Sequence, residues 1–91
     1  MRDYDEAALF VSEARIYRGK QEIHGFFGDF IGSLPAGGID RFELRSLRVE
    51  GNVAFITWSV GTEIPLGTDT FVVDRGQIVA QTFAMYTAQA P

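Results

Sequence analysis

The residue that most suggests chemistry is Asp69, an acidic residue inside the stretch GTDTFVVDRGQIVAQ, residues 67 to 81. The alternating pattern around it predicts a strand. Side chains alternate between the two faces of a strand, so Asp69 shares a face with Phe71 and Val73. Apolar neighbours remove a carboxyl group from water, which favours its protonated form. Asp69 is therefore a candidate for the acid or base of a reaction.

Two interpretations of Asp69 stay open at this point. Carboxyl groups with shifted pKa values cluster at functional sites, which favours a chemical role. The structural alternative is an aspartate at a solvated strand end, hydrogen-bonded to Thr68, Thr70 or water. The chain has a single histidine, His24, and no cysteine. Because zinc needs three or four ligands, we expect no metal site, and nothing in the sequence indicates a cofactor.

Length, composition and charge narrow the classes of protein to be considered. We interpret the 91 residues, 1 to 91, as one domain with a modest core. An apolar fraction of 46% argues against disorder, and a net charge of −4 disfavours nucleic-acid or anionic-membrane surfaces. No apolar run approaches the roughly 20 residues of a membrane span, and the start lacks a signal-peptide pattern. We therefore expect a cytoplasmic protein.

The first third of the chain predicts two helices with a short strand between them. DYDEAALFVSEA predicts a helix of about two turns, with Asp3 as N-cap and Glu6 completing a capping box. RIYR predicts a brief strand. GKQEIHGFFGDFIGSLP predicts a longer helix, because its apolar residues recur at helical spacing: Ile23, Phe26, Phe27, Phe30, Ile31 and Leu34. Three glycines share another helix face, which either admits a neighbouring element closely or faces solvent: Gly25, Gly28 and Gly32.

From residue 39 onward the sequence predicts strands. The segment DRFELRSLRVE alternates, but its period slips near Ser46, where Leu44 is followed by Leu47, and this predicts a β-bulge. Gly51 and Asn52 are typical of a two-residue hairpin loop. We interpret three clustered arginines as a solvated strand face, with an anion site as the alternative: Arg41, Arg45 and Arg48.

The last half of the chain predicts strands whose two faces are covered by different partners. In VAFITWSVGTEI, Phe55 and Trp58 fall on opposite faces of one strand. PLG, residues 65 to 67, is expected to interrupt the strands, and the final hairpin is expected to turn at residues 74 to 76. The sum is an α+β domain, with a helix packed on one face of a curved antiparallel sheet. Both faces of the later strands carry bulky apolar groups, so we expect a homodimer to cover the second face.

Several of these segments resemble one family. YRGKQEIHGFF resembles the strand–helix junction of the SnoaL-like polyketide cyclases, and LRVEGNVAFITWSV resembles their central hairpin. GTDTFVVDRGQIVAQTFAMY resembles their last two strands, and DYDEAALFVSEA looks like their second helix. The match covers nearly the whole chain. It implies the nuclear transport factor 2-like fold, a cystatin-like roll in which a cone of curved sheet is closed by helices, usually as a dimer. Members usually begin with a longer helix before DYDEAALF, so the resemblance implies an N-terminally short version, covered by a second subunit.

The same superfamily includes ketosteroid isomerase, and the strand of Asp69 is similar to the strand that carries the oxyanion-hole acid of that enzyme. The spacing from Asp69 to Asp74, followed by Gly and Ile, is the same. By this resemblance, a protonated Asp69 would donate a hydrogen bond to a developing enolate oxygen. The isomerase's tyrosine belongs to the first helix, and at the position of its base this sequence has ARIYRG and no acid. In SnoaL-like cyclases, however, one inward acid can act as the base of an aldol closure, so Asp69 alone could suffice.

The resemblance implies a protein that binds a small apolar molecule, with or without isomerase or cyclase chemistry on a carbonyl compound at Asp69. The alternative is a non-catalytic ligand-binding or dimerisation module, and a third hypothesis is a subunit that docks a different protein. We expect aromatic and soft apolar side chains to line the ligand pocket: Tyr17, Phe27, Phe30, Phe55, Trp58, Phe71, Phe83 and Met85.

Overall fold

The computed structural model describes residues 3–34 and 37–88. Its elements in chain order are strands β1 (Tyr4–Ser12) and β2 (Ile16–Arg18), helix α1 (Lys20–Gly32), a 3-10 turn (Gly38–Arg41), and strands β3 (Phe42–Glu50), β4 (Val53–Val60), β5 (Ile64–Asp74) and β6 (Gln77–Tyr86). The strands form a six-stranded sheet in the order β2-β1-β6-β5-β4-β3. The expected α+β class, with a helix on a curved sheet, is confirmed. One neighbouring pair, β1 with β6, is parallel, and the other pairs are antiparallel.

The prediction of a helix in DYDEAALFVSEA is wrong, because this segment forms β1. Its buried side chains, Tyr4, Ala8 and Phe10, are four and two positions apart, and such even spacing is what one face of a strand requires. On one side β1 pairs with β2, and on the other side it pairs with β6, where Phe10 lies opposite Gln81. Glu, Ala and Leu are good helix formers, but backbone pairing on both sides outweighs that local preference. The likeness of this segment to a second family helix is therefore also wrong.

Helix α1 forms where its apolar spacing predicts it. Ile23 is fully buried, and Gly19 precedes the helix with a φ of 86°, a left-handed value that glycine adopts without strain. The apolar stripe is narrower than predicted, because Ile31 is exposed. The three glycines face solvent, since a Cβ atom added at any of them would meet nothing within 4 Å: Gly25, Gly28 and Gly32.

Two apolar clusters form the core beneath and beside the helix. The first contains Tyr4, Ala8, Phe10 and Ile23. The second contains Trp58, Val60 and Ile64. Phe83 of β6 packs against both clusters and joins them. We call the sheet face under α1 the inner face and the opposite face the outer face.

The strands from β3 to β6 form the predicted meander. The bulge near Ser46 is confirmed, because the pairing passes from Leu44 opposite Trp58 directly to Ser46 opposite Thr57. The predicted turn at residues 51–52 is also confirmed. The turn predicted at residues 74–76 consists of Arg75 and Gly76, because Asp74 still belongs to β5 and pairs with Gln77. Gly51, Arg75 and Gly76 have positive φ values.

The expected interruption at residues 65 to 67 is wrong, because these residues belong to β5. Pro65 lies where the register between β4 and β5 shifts, between the pairs Trp58–Gly67 and Val60–Ile64. Proline has no N–H group to donate, so an irregular position in the ladder is where a strand tolerates it.

Candidate functional site

Asp69 lies in the interior of the sheet, on the central strand β5. Ile56 of β4 is opposite Asp69 on one side, and Phe83 of β6 is opposite it on the other side. The residue is only 5% exposed. The interpretation of Asp69 as an aspartate at a solvated strand end is therefore excluded.

Both carboxylate oxygens of Asp69 accept a hydrogen bond from a side chain of a neighbouring strand. The indole N–H of Trp58 donates to Oδ1 over 2.7 Å, and the amide Nε2 of Gln81 donates to Oδ2 over 2.7 Å. The amide oxygen of Gln81 in turn accepts a hydrogen bond from the Tyr4 hydroxyl. These four residues form a carboxylate network that connects β1, β6, β5 and β4. In the described part of the chain, no buried side-chain nitrogen or oxygen lacks a partner.

A glycine opposite Trp58 makes room for the indole in this network. Gly67 pairs with Trp58 across β4 and β5, and a Cβ atom at residue 67 would lie 2.2 Å from the indole ring. The ring therefore occupies space that any other residue would fill. From that position its N–H reaches Asp69, which is two residues further along β5 on the same face.

Burial controls the protonation of the network. Loss of solvation raises the pKa of Asp69 above the usual aspartate value, although the hydrogen bonds from Trp58 and Gln81 lower it in part. Burial, reinforced by the negative charge of Asp69, raises the pKa of Tyr4 to about 12. Tyr4 therefore remains a neutral hydroxyl donor throughout the physiological range.

An apolar hollow lies beyond Phe83, between the ends of β6, β2 and α1. It consists of two adjoining depressions of about 220 and 330 Å³ that share Tyr17, Phe26, Phe83 and Met85. Phe30 completes the lining of the larger one. We call these five residues the aromatic hollow. Its rim carries hydrogen-bonding side chains: Ser12, Glu13, Asp29, Ser33 and Thr87.

The structure brings together half of the side chains proposed for the ligand pocket. Four of them line the aromatic hollow: Tyr17, Phe30, Phe83 and Met85. Phe27 packs edge-on against the buried ring of Phe10, with 5.5 Å between ring centroids. Trp58 is buried in the second core cluster, and Phe55 is exposed on the outer face.

The remaining two proposed residues lie on β5, and neither lines the aromatic hollow. Phe71 is half-buried and pairs with Ala54 on one side and Gln81 on the other. Asp69 is separated from the hollow by aromatic rings. Phe83, which is opposite Asp69, lies within 6.0 Å of Trp58 between ring centroids.

Three residues contribute to these sites although the sequence patterns did not single them out. Phe26 was assigned only to the apolar helix stripe, yet it contacts Tyr17, Phe30 and Phe83 in the hollow. Gln81 precedes Phe83 by two residues on one predicted strand, and this spacing could have revealed that both share the inner face. Tyr4 could not be placed, because its segment was assigned to a helix.

The other charged candidates lie away from this site. Arg41 forms an ion pair with Glu63 at 2.8 Å, and Arg45 forms one with Glu43 at 3.1 Å. Arg45 and Arg48 lie exposed on β3, as predicted for a solvated strand face, whereas Arg41 lies in the 3-10 turn before the strand. His24 lies exposed on α1. Within residues 3–34 and 37–88, no helix has the length and apolar character needed to cross a membrane.

Comparison with known proteins identifies the fold. No protein-family model and no curated protein sequence matches the chain. Solved structures do match. A nuclear transport factor 2-like protein of unknown function from Burkholderia xenovorans superposes with a TM-score of 0.76 at 22% identity, over 98% of this chain and 70% of that chain. A candidate isomerase of the SnoaL-like family from Agrobacterium tumefaciens gives 0.74 at 16% identity, over 93% and 75% of the two chains.

A de novo designed protein with a curved β-sheet gives a TM-score of 0.81 at 16% identity, over 93% of this chain and 67% of that chain. The class defined by these superpositions is an α+β roll with a helix in the concavity of a curved sheet. More particularly, this is the nuclear transport factor 2-like fold that SnoaL-like proteins share, as the sequence resemblance predicted. A designed protein has a similar fold, so the fold alone does not determine a function.

Proposed function

We propose that this protein binds a small, largely apolar molecule in the aromatic hollow. The observation that carries the proposal is the convergence of Tyr17, Phe26, Phe30, Phe83 and Met85 from three elements around one open depression. Small-molecule sites are typically concave, lined by apolar and aromatic side chains, with a few polar groups that orient the ligand. The Tyr17 hydroxyl and the carboxylates at the rim would supply that orientation.

The dimensions of the hollow limit the ligand. The larger depression, about 330 Å³, lies near the lower end of the roughly 300–1,000 Å³ typical of ligand pockets, and the smaller one, about 220 Å³, lies below that range. A compound of one or two rings fits that volume. Met85 is flexible and polarisable, so the site can adjust to more than one ring shape.

Binding is testable with 6-propionyl-2-(dimethylamino)naphthalene, an uncharged two-ring compound whose emission shifts to the blue in apolar surroundings. Met85→Lys places a charge on the hollow and is expected to weaken the titrated affinity at least about tenfold. Tyr86→Lys, one residue further along and exposed, is the matched control and should change the affinity less than about twofold. An unresponsive wild type, or equal losses in both variants, would contradict the proposal.

A second candidate function adds acid–base chemistry at Asp69, as the sequence resemblance suggests. The observation that favours it is a buried carboxyl group of raised pKa directly opposite Phe83, whose ring lines the hollow. For this chemistry the Phe83 ring must move, because Asp69 is only 5% exposed and lies opposite Phe83, whose ring lines the hollow. We favour binding without catalysis for that reason, with Asp69 holding the indole in place.

The two functions are separated by exchange of the α-protons of 2-tetralone in heavy water, followed by proton NMR. If Asp69 is the base, its carboxylate takes an α-proton, the C–H electron pair forms the enolate, and a deuteron returns to carbon. Asp69→Asn should then slow the protein-dependent exchange at least about 100-fold. If the exchange rate is unchanged in a folded variant, Asp69 has no part in the reaction.

The cytoplasmic location expected from the sequence stays a prediction. The expected homodimer also stays a prediction.

A further inference from the structure

The two edges of the sheet are very different. The edge strand β2 contains three residues, whereas the edge strand β3 contains nine, all of them exposed. An edge strand presents a row of unpaired N–H and C=O groups, which can pair with another chain. Proteins protect such edges with proline, with charged side chains such as lysine, or with bulges. β3 contains no proline or lysine, and its charged side chains are glutamates and arginines, which can pair with those of a suitable partner strand. Its one irregularity is the bulge at Arg45.

The two faces of β3 differ in chemistry. Its inner face carries four exposed apolar side chains: Phe42, Leu44, Leu47 and Val49. Its outer face carries charged side chains, as the ion pair between Glu43 and Arg45 shows. A strand added at this edge must therefore be apolar on one face and charged on the other.

The bulge determines which registers can satisfy both faces. Arg45 bonds to Glu43, and the Ser46 hydroxyl bonds to Thr57, so Arg45 and Ser46 both lie on the outer face. As a result, Leu44 and Leu47 share the inner face although they are three positions apart in the chain. All four apolar side chains can lie opposite one another only in an antiparallel register that pairs even-numbered with odd-numbered residues.

One of these registers is complementary in charge as well. With Leu44 of one copy opposite Leu47 of another, Phe42 falls opposite Val49, and Glu43 falls opposite Arg48. Both contacts occur twice, because an antiparallel pair of identical strands has two-fold symmetry.

The neighbouring registers fail. If the register shifts by two residues so that Leu44 lies opposite Val49, Glu43 lies opposite Glu50 and Arg45 opposite Arg48. If it shifts by two residues in the other direction, Leu44 lies opposite Arg45. Like charges placed directly opposite each other are destabilising, and so is a charge opposite an apolar side chain.

From this complementarity we propose that β3 pairs antiparallel with β3 of a second copy of this chain, about a two-fold axis between Arg45 and Ser46. The two six-stranded sheets join into one continuous sheet, and each inner face extends its apolar surface across the junction. This is strand addition at an exposed edge, in which backbone hydrogen bonds supply affinity and side chains supply the register. It goes beyond the proposed ligand site and does not depend on it.

Charge reversal with mixing tests the register. In a dimer of the Arg48→Glu variant, position 43 and position 48 of the partner are both glutamate, so two like-charged pairs form. In a dimer of the Glu43→Arg variant, both positions are arginine, with the same result. Each variant alone should dimerise at least about tenfold more weakly than wild type in analytical ultracentrifugation. Mixed together, one chain has arginine at both positions and the other glutamate at both, so a heterodimer should form with near wild-type affinity. Because the partner variant restores it, a loss of dimer cannot be attributed to misfolding.

The matched control is the variant Thr82→Arg. Thr82 is exposed on the outer face of β6, where it pairs with Thr70 of β5. It should leave the wild-type dimer unchanged. The proposal is overturned if wild type is monomeric at all concentrations or if the two charge variants do not rescue each other. A dimer disrupted by Thr82→Arg instead would place the interface on the outer sheet face and would also overturn it.

Discussion

The strands at both ends of the sheet carry apolar side chains on the inner face, but these side chains are buried at one end and exposed at the other. At the β1–β6 end, Phe10 is 0% exposed under α1, whereas at the β3 end Leu47 is 57% exposed, although both are inner-face apolar residues. A helix of 13 residues is about 20 Å long, and six strands spaced about 4.8 Å apart make a wider sheet. One helix therefore cannot cover the whole inner face. Alternation alone does not determine burial, because burial depends on what lies above the strand.

Truncating a side chain at each end should give the largest contrast. Phe10→Ala removes a ring that contacts Tyr17, Phe26, Phe27 and Phe83, and should lower the free energy of unfolding by about 3–5 kcal/mol. Val49→Ala, measured on the dilute monomer, should change it by less than about 0.5 kcal/mol. Urea unfolding followed by circular dichroism measures both. Similar losses would mean that the β3 end is also packed.

A smaller effect is expected at the border between the two ends, where Trp58 lies over Gly67. Gly67→Ala forces the indole away from β5 and from Asp69, and should cost about 2–3 kcal/mol. Gly28→Ala on the solvent side of α1 is the matched control and should stabilise the protein by about 0.5–1 kcal/mol. The emission of the single tryptophan should shift in the first variant only. An unshifted spectrum in Gly67→Ala would refute the close packing.

The smallest expected effect concerns the pH dependence of stability at Asp69. Because its folded pKa is raised, the folded state binds this proton more tightly than the unfolded state does. Asp69 therefore lowers stability as the pH rises from the usual aspartate value, about 3.9, to the folded pKa, and its effect is constant above that. Each tenfold difference in proton affinity between the folded and unfolded states corresponds to a loss of about 1.4 kcal/mol.

Asp69→Asn should lack this loss, so the difference in stability between wild type and variant should favour wild type increasingly as the pH falls through that window. Unfolding in urea at a series of pH values measures this difference. A constant difference for Asp69→Asn across the window would show that the carboxyl group has an ordinary pKa in the folded protein.

Local chemistry was enough to predict much of the fold. The spacing of Ile23, Phe26 and Phe30 predicts α1, the slip between Leu44 and Leu47 predicts the bulge, and glycines with positive φ mark the turns. These features depend on residues close together in the chain. The N-terminal strand could not be predicted in the same way, because the pairing of β1 with β6 joins residues about 70 positions apart.

By itself the sequence determined the α+β class, the central meander and the apolar neighbours of Asp69, because each follows from short-range spacing. Only the tertiary structure decided that Trp58, Gln81 and, through Gln81, Tyr4 satisfy that carboxyl group, and that the aromatic hollow opens beyond Phe83. It also decided which edge is left unpaired. Hydrogen bonds across strands and the reach of one helix depend on three-dimensional positions, which no local pattern contains.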